Sequence, residues 1–298
     1  MRSTSQSTHS YTSDDVSRIV RTFYETYGWT IDEADGLHYH HTYFQDMDEI
    51  AIKYRYSHEM RYQKYFQIGG EFFLDAGCGG EPRPKMSENF QKHVCVDISL
   101  KGLEEARRVL GDSGAYVLAD LTALPFKDQS FDGVLASHCL YHIEKDSQTA
   151  VLSDLYRATK TNRNILVFYS SRHNLISLIH KVPRLVLPLI NNFLHRAGLH
   201  LTTVNPYIRR TRRETRAVGD VVRAPELYAY AHNPMNLARG FKSVDVTCLM
   251  SLTNYDTQLL RRFRLLGVVI PLLDLLEHAF PHAMRYVGKF TCVRICKT

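Results

Sequence analysis

The sequence predicts an α/β protein built on a doubly wound, mainly parallel sheet with helices on both faces. Two observations carry that prediction. Between residues 72 and 170, short runs rich in Val, Leu, Ile and aromatics alternate with amphipathic segments, the pattern of parallel strands joined by crossover helices. The first run is followed at once by Gly77, Cys78, Gly79 and Gly80, and open sheets of this kind bind ligands beyond the carboxyl ends of their strands.

The elements follow in order. Residues 1–15, MRSTSQSTHSYTSDD, are polar, lack the apolar core of a secretory signal and read as a disordered tail. Residues 16–68 are helical in pattern and rich in tyrosine, a helical lid in which KYRYSHEMRYQKYF (53–66) is expected over the ligand end of the sheet, with Tyr62 lining the pocket. Strands are expected at FFLDA (72–76), HVCVDI (93–98), AYVLAD (115–120), FDGVLAS (131–137) and NILVFYS (164–170). Between them, SLKGLEEARRVLG has Ser99 as N-cap, Leu100, Leu103, Ala106 and Leu110 on one face, and Gly111 as stop. DSQTAVLSDLYRATK has Asp146 as N-cap, with Val151, Leu152, Leu155 and Tyr156 facing inward. These elements make a core over residues 69–173. Residues 174–240 read as a helical insertion kinked at Pro183 and Pro188. Residues 241–298 return to the core with strands at SVDVTCLMS (243–251) and GKFTCVRIC (288–296) around the helical excursion LLGVVIPLLDLLE (265–277).

Composition narrows the function only mildly. The 298 residues hold 37 Lys and Arg against 31 Asp and Glu, a formal net charge of +6, a weak bias toward acidic partners. The six cysteines form no CxxC pair, which favours buried, reduced thiols in an intracellular chain and gives no zinc motif. With no run of 18 or more apolar residues, a spanning helix is not expected. The expected location is cytoplasmic, or peripheral at a membrane.

The ligand is read from three acids. Asp75 ends the first strand beside the glycines, where it would repel a pyrophosphate but welcome an amino group. Asp97 ends the second strand, some twenty residues on, placed to accept from ribose hydroxyls. Asp120 ends the third, placed to accept from an exocyclic amine such as adenine N6. A cationic amino acid end, a ribose and an adenine without phosphate describe S-adenosyl-L-methionine.

LDAGCGG, VCVDIS, ADLTALPFKDQSFDGVLASHCLYHI and the helix after Asp146 resemble, in order and spacing, the class I S-adenosylmethionine-dependent methyltransferases, and within them the small-molecule type with Leu-Pro-Phe after the adenine-binding acid. The resemblance covers residues 72–171 and implies a Rossmann-like core. It implies that Asp75, Ala76, Gly77, Cys78 and Gly79 surround the methionine part, that Asp97 holds the ribose with Ile98 on the adenine, that Asp120 and Leu121 reach the adenine edge, and that Ser137 sits beside the cofactor. Two features depart from the family: Glu81, followed by Pro82 and Pro84, stands where a third glycine is usual, and Lys160–Asn164 replaces the Lys-Pro-Gly-Gly turn.

The cofactor's sulfonium already activates the methyl group, so a base is needed only where the acceptor must lose a proton. His138 is the leading candidate, with Tyr141 and His142 close behind; packing or capping roles for the last two stand beside that reading. HYHH (38–41) reads as surface histidines rather than a metal site, and no metal is expected. The arginine run YIRRTRRETR (207–216) suits a solvated lid, an anionic acceptor or lipid headgroups; nucleic acid is disfavoured because no recognition module accompanies it. LISLIHKVPRLVLPLI (175–190) and LLGVVIPLLDLLE suit lid core, or an interfacial helix drawing a hydrophobic acceptor from a membrane surface. The expected function is methyl transfer to a small, hydrophobic or lipid-like acceptor. The alternatives are a non-catalytic or membrane-peripheral cofactor-binding protein of the same fold and, on the glycines alone, a nicotinamide-dependent oxidoreductase, which the absence of GxGxxG disfavours.

Overall fold

The computed structural model describes residues 11–29, 49–171, 174–175, 215–217, 220–222 and 227–298. HYHH, Pro183, Pro188 and most of YIRRTRRETR lie outside them.

The five expected core strands form as β1 (Gly70–Ala76), β2 (Phe90–Asp97), β3 (Gly114–Leu118), β4 (Gly133–Ser137) and β5 (Asn164–Ser170). Residues 215–222 hold a short antiparallel pair, β6 (Thr215–Ala217) and β7 (Asp220–Val222), where a helical insertion was expected. β8 (Val244–Met250) and β9 (Phe290–Cys296) complete a seven-stranded sheet in the order β3-β2-β1-β4-β5-β9-β8. The first five run parallel, and β9 is antiparallel to both of its neighbours. Strand order reverses between β1 and β4, which creates the crevice where open sheets take ligands.

Alternate residues on each strand feed two cores, as the period of two requires. On one face Leu74, Val94, Val134, Ile165 and Val167 pack with Val151, Leu152 and Leu155 of α4 (Gln148–Ala158). On the other, Phe73, Leu135, Leu166 and Phe168 pack with Ala51 and Tyr54 of α2 (Glu49–Met60) and with Leu266 and Ile270 of α7 (Leu266–Ala279).

Several boundaries differ from the sequence reading. The N-terminal tail ends early, because a capping box between Thr12 and Asp15 starts α1 (Ser13–Phe23), which continues into a π-helical turn over Tyr24–Gly28. In α3 (Leu100–Leu110) Ser99 is the N-cap and Leu103, Ala106 and Leu110 are buried, but Leu100 in the first turn is exposed. Ser147, not Asp146, precedes α4, since Glu144 Oε2 accepts the N–H groups of both Asp146 and Ser147 and holds the chain in a turn there. β3 ends at Leu118, two residues before Asp120. Between β1 and β2 only a 3-10 turn, Pro84–Ser87, forms; Pro82 and Pro84 lack the N–H donors a full helix would use. Its Met86 packs in the same core as α2, which covers this face in place of a crossover helix. The remaining helices, α5 (Pro234–Leu237), α6 (Asn254–Arg262) and α8 (Pro281–Met284), flank the late strands.

Tyr62, expected to line the pocket, packs in the core. It is buried against Phe168, and its hydroxyl meets Thr247 Oγ1 and the Cys248 carbonyl.

Candidate cofactor and active site

The cleft forms where β1, β2 and β4 end. Gly77 and Gly79 hold φ of +67° and +54°, a left-handed backbone that side chains resist. A Cβ on Gly77 would stand 2.5 Å from Cys139 Cβ, and one on Gly79 would stand 2.5 Å from the Trp29 ring. The loop's bareness therefore also serves the protein's own packing.

Asp97 binds this loop to the next. The Gly79 N–H donates to its Oδ2 at 2.8 Å and the Ser99 N–H to its Oδ1 at 2.9 Å. Burial favours its neutral form and, against those bonds, raises the carboxyl to about 6. Asp75 is also buried. Its Oδ2 accepts the Arg83 N–H and the Nε2–H of His93, each at 3.2 Å. Burial opposes charge on His93, yet Asp75 and Cys95 outweigh it and raise the ring to about 9. Asp75 Oδ1 is buried with no hydrogen-bond partner among the described residues, and so is Ser137 Oγ. Beyond β3, Asp120 Oδ1 accepts from the Thr122 N–H and hydroxyl, both at 2.8 Å, and caps the turn Leu121–Ala123. Ala76, Cys78 and Leu121 are buried, while Ile98 is half-buried.

An aromatic wall closes the cleft from the N-terminal segment. Trp29 lies against Gly79, Gly80 and Gly102 and stacks with Tyr24. Burial, with the charge of neighbouring Asp97, pushes the Tyr24 hydroxyl up. Glu25 accepts the N–H groups of Leu100 and Lys101 at the start of α3, where the helix dipole favours a carboxylate. Sequence reasoning missed this wall. The only signal was that Trp29 is the chain's one tryptophan.

His138 has φ of +58°, uncommon for a residue with a side chain and a form of strain that gathers at functional sites. Neither ring nitrogen has a hydrogen-bond partner among the described residues. Burial holds the imidazole neutral, down to about 3. Its Nε2 lies 4.0 Å from Glu59 Oε1. Burial would raise the Glu59 carboxyl, but Arg83 and Arg55 outweigh it and hold it down to about 2; the Arg83 guanidinium donates at 3.0 Å and that of Arg55 at 3.3 Å. Glu59, Arg55 and Arg83 were not legible as site residues. Arg83 also donates to the Glu81 carbonyl, so this arginine organises the turn that replaces the usual third glycine. Tyr141 packs on the core beside Tyr169. His142 Nδ1 meets the Tyr228 carbonyl at 2.7 Å, so that nitrogen serves to hold the following segment.

The residues fit S-adenosyl-L-methionine. A buried, unpartnered carboxylate oxygen on Asp75 suits an ammonium, Asp97 retains lone pairs for ribose hydroxyls, and Asp120 Oδ2 carries no hydrogen bond among the described residues.

Residues 74–167 match the family model described as a methyltransferase domain. That match spans the glycine loop, all three acids and His138. The core is a class I S-adenosylmethionine-dependent methyltransferase domain. Beyond it, the chain is 27% identical over 157 residues to cycloartenol-C-24-methyltransferase 1 of Oryza sativa subsp. japonica, a match covering 50% of this chain and 43% of that protein. The chain thus spans less than half the length of this curated relative. Among solved structures, a SAM-dependent methyltransferase from Archaeoglobus fulgidus aligns over 87% of this chain and 100% of its own, with 16% identity and a TM-score of 0.49. Magnesium protoporphyrin IX methyltransferase from Synechocystis PCC 6803 aligns over 95% and 100%, with 14% identity and the same TM-score of 0.49.

Proposed function

We propose that the chain transfers a methyl group to a small, hydrophobic or lipid-like acceptor from the cytoplasmic face of a membrane. The observation that carries the methyl-transfer reading is the buried, unpartnered Asp75 oxygen beside the glycine loop, with Asp97 clamping that loop. When bound, S-adenosyl-L-methionine supplies an already activated methyl group. Asp75, Asp97 and Asp120 hold and orient the cofactor, and Trp29 and Tyr24 keep water from it. His138, neutral and unpartnered, takes a proton from an acceptor that must shed one. The nearby Glu59 carboxylate then stabilises the imidazolium.

Two features support an apolar acceptor. The curated relative's name gives cycloartenol as the molecule it methylates. On α7, Val268, Leu272 and Leu275 are exposed along one stripe, with Phe263 and Leu265 just before it and Arg261 and Arg264 beside them. An apolar face edged by cations suits the interface of an anionic bilayer.

Calorimetric titration with S-adenosyl-L-methionine, followed by labelled-cofactor incubation with a lipid extract, tests the reading. Saturable binding and a labelled lipid product are expected. Binding without labelled product would favour a non-catalytic cofactor-binding protein, and no binding would remove the assignment.

A further inference from the structure

One residue before Glu59 on α2, the fold brings together three residues that no catalytic step uses. His58 of α2 meets Asp274 and His278 of α7, and their donor atoms all lie within 4.8 Å of one another. Asp274 and His278 stand four residues apart and share a helix face.

The hydrogen bonding of His58 leaves a positive charge unaccounted for. The ring is fully buried, with Nδ1 2.9 Å from the Leu249 carbonyl oxygen and Nε2 2.7 Å from Asp274 Oδ1 and 3.2 Å from Glu277 Oε2. A carbonyl can only accept, so Nδ1 carries its proton toward Leu249. A neutral imidazole then presents a bare lone pair at Nε2. That lone pair faces carboxylate oxygens, which also only accept. A second proton or a cation must lie between them.

The surroundings favour a cation. A histidine that donates one nitrogen to a backbone carbonyl and aims the other at a carboxylate and a second histidine has the outer-shell arrangement of a metal ligand. Glu277 is occupied already, accepting from the Tyr54 hydroxyl at 2.7 Å and the Ser251 N–H at 2.7 Å, so it supports the site from behind. His278 Nδ1 lies 2.7 Å from the Asp274 backbone carbonyl oxygen and 3.3 Å from Asp274 Oδ1, so that nitrogen carries its proton and Nε2 keeps the lone pair for an ion. The His278 and Asp274 side chains are 51% and 44% exposed, whereas His58 is closed in. An ion can therefore enter from solvent and keep a water in its fourth position.

We propose that His58, Asp274 and His278 form a divalent-cation site of the zinc class that clamps α7 to α2. Two imidazoles and one carboxylate are a set that zinc and cobalt accept. The clamp fixes the helix whose next residue, Glu59, faces His138, and it ties down the helix bearing the exposed apolar stripe. It stands whether or not the chain transfers methyl groups.

The test uses the full chain, stripped with a chelator and titrated with cobalt(II) and then zinc. One cobalt per chain is expected, with ligand-field bands of a tetrahedral nitrogen–oxygen set and none of the charge-transfer bands that thiolates would give. Zinc should displace it and raise the melting temperature. Asp274→Asn combined with His278→Gln changes only partly exposed residues. It should cost at least the ~100-fold in affinity that loss of an outer-shell partner alone can cause. His40→Gln with His41→Gln should leave binding unchanged. Loss of the bands in the His40/His41 variant, their survival in the Asp274/His278 variant, or a doubly protonated His58 ring by nitrogen NMR with no metal uptake would each overturn the proposal.

Discussion

Glu59 Oε1 lies 4.0 Å from His138 Nε2, and Arg83 and Arg55 hold that carboxylate from its other sides. The pair places a fixed negative charge beside an imidazole that is neutral until it receives a proton. His138→Gln should lower the single-turnover rate by about 100-fold, the scale of lost general-base assistance, while cofactor affinity stays close to that of the parent. Calorimetry and rapid quench separate the two. An equal loss in both would assign His138 to packing of the cleft rather than to proton transfer.

Cofactor affinity should depend on pH through Asp97. Burial raises its carboxyl to about 6, so it is ionised above that pH and protonated below. Ribose hydroxyls donate to the ionised form, so affinity is highest above that value and falls roughly tenfold per pH unit beneath it. Asp97→Asn should bind weakly and with little pH dependence. The rate at saturating cofactor should stay level across the same range, because His138 remains neutral down to about 3. A rate that falls with the affinity would contradict this division of roles.

Much of the sheet could be read in advance because the strands are buried on both faces and so spell continuous apolar runs; β5 matches its expected bounds at both ends. Asp75, Asp97 and Asp120 were legible for a related reason, since each interrupts or ends such a run. What stayed hidden depends on long-range contact. Nothing local in KYRYSHEM distinguishes Glu59, which faces Arg83 and His138, from a solvated helix carboxylate. His58 meets Asp274 across 216 positions. The start of α1 is legible locally, because Thr12 and Asp15 carry a capping-box spacing inside a polar stretch.

Gly79 and Trp29 should be energetically coupled. Gly79→Ala places a Cβ 2.5 Å from the Trp29 ring at a φ of +54°. Trp29→Ala removes a buried ring and should cost about 3 kcal/mol. In the double variant the clash is gone and only the left-handed strain of alanine remains, so it should lose less stability than the two single changes added together. Urea unfolding of all four proteins measures the coupling. Strict additivity would mean that the tryptophan does not seal the glycine loop.

The buried ion pair of His93 and Asp75 should appear as a loss of stability on the alkaline side. The His93 ring titrates at about 9 in the folded chain against an ordinary 6.5. A raised folded value means that its stabilisation is complete below 6.5 and is lost as pH rises through about 9. His93→Gln keeps a donor toward Ser87 but leaves the Asp75 charge without its cation. At neutral pH it should be less stable by about 3 kcal/mol, the scale of breaking a buried pair. Its unfolding midpoint should then change little with rising pH, while that of the parent declines toward it. Parallel curves would show that the ring is neutral in the fold, and the cofactor's ammonium would then be the principal cation answering Asp75.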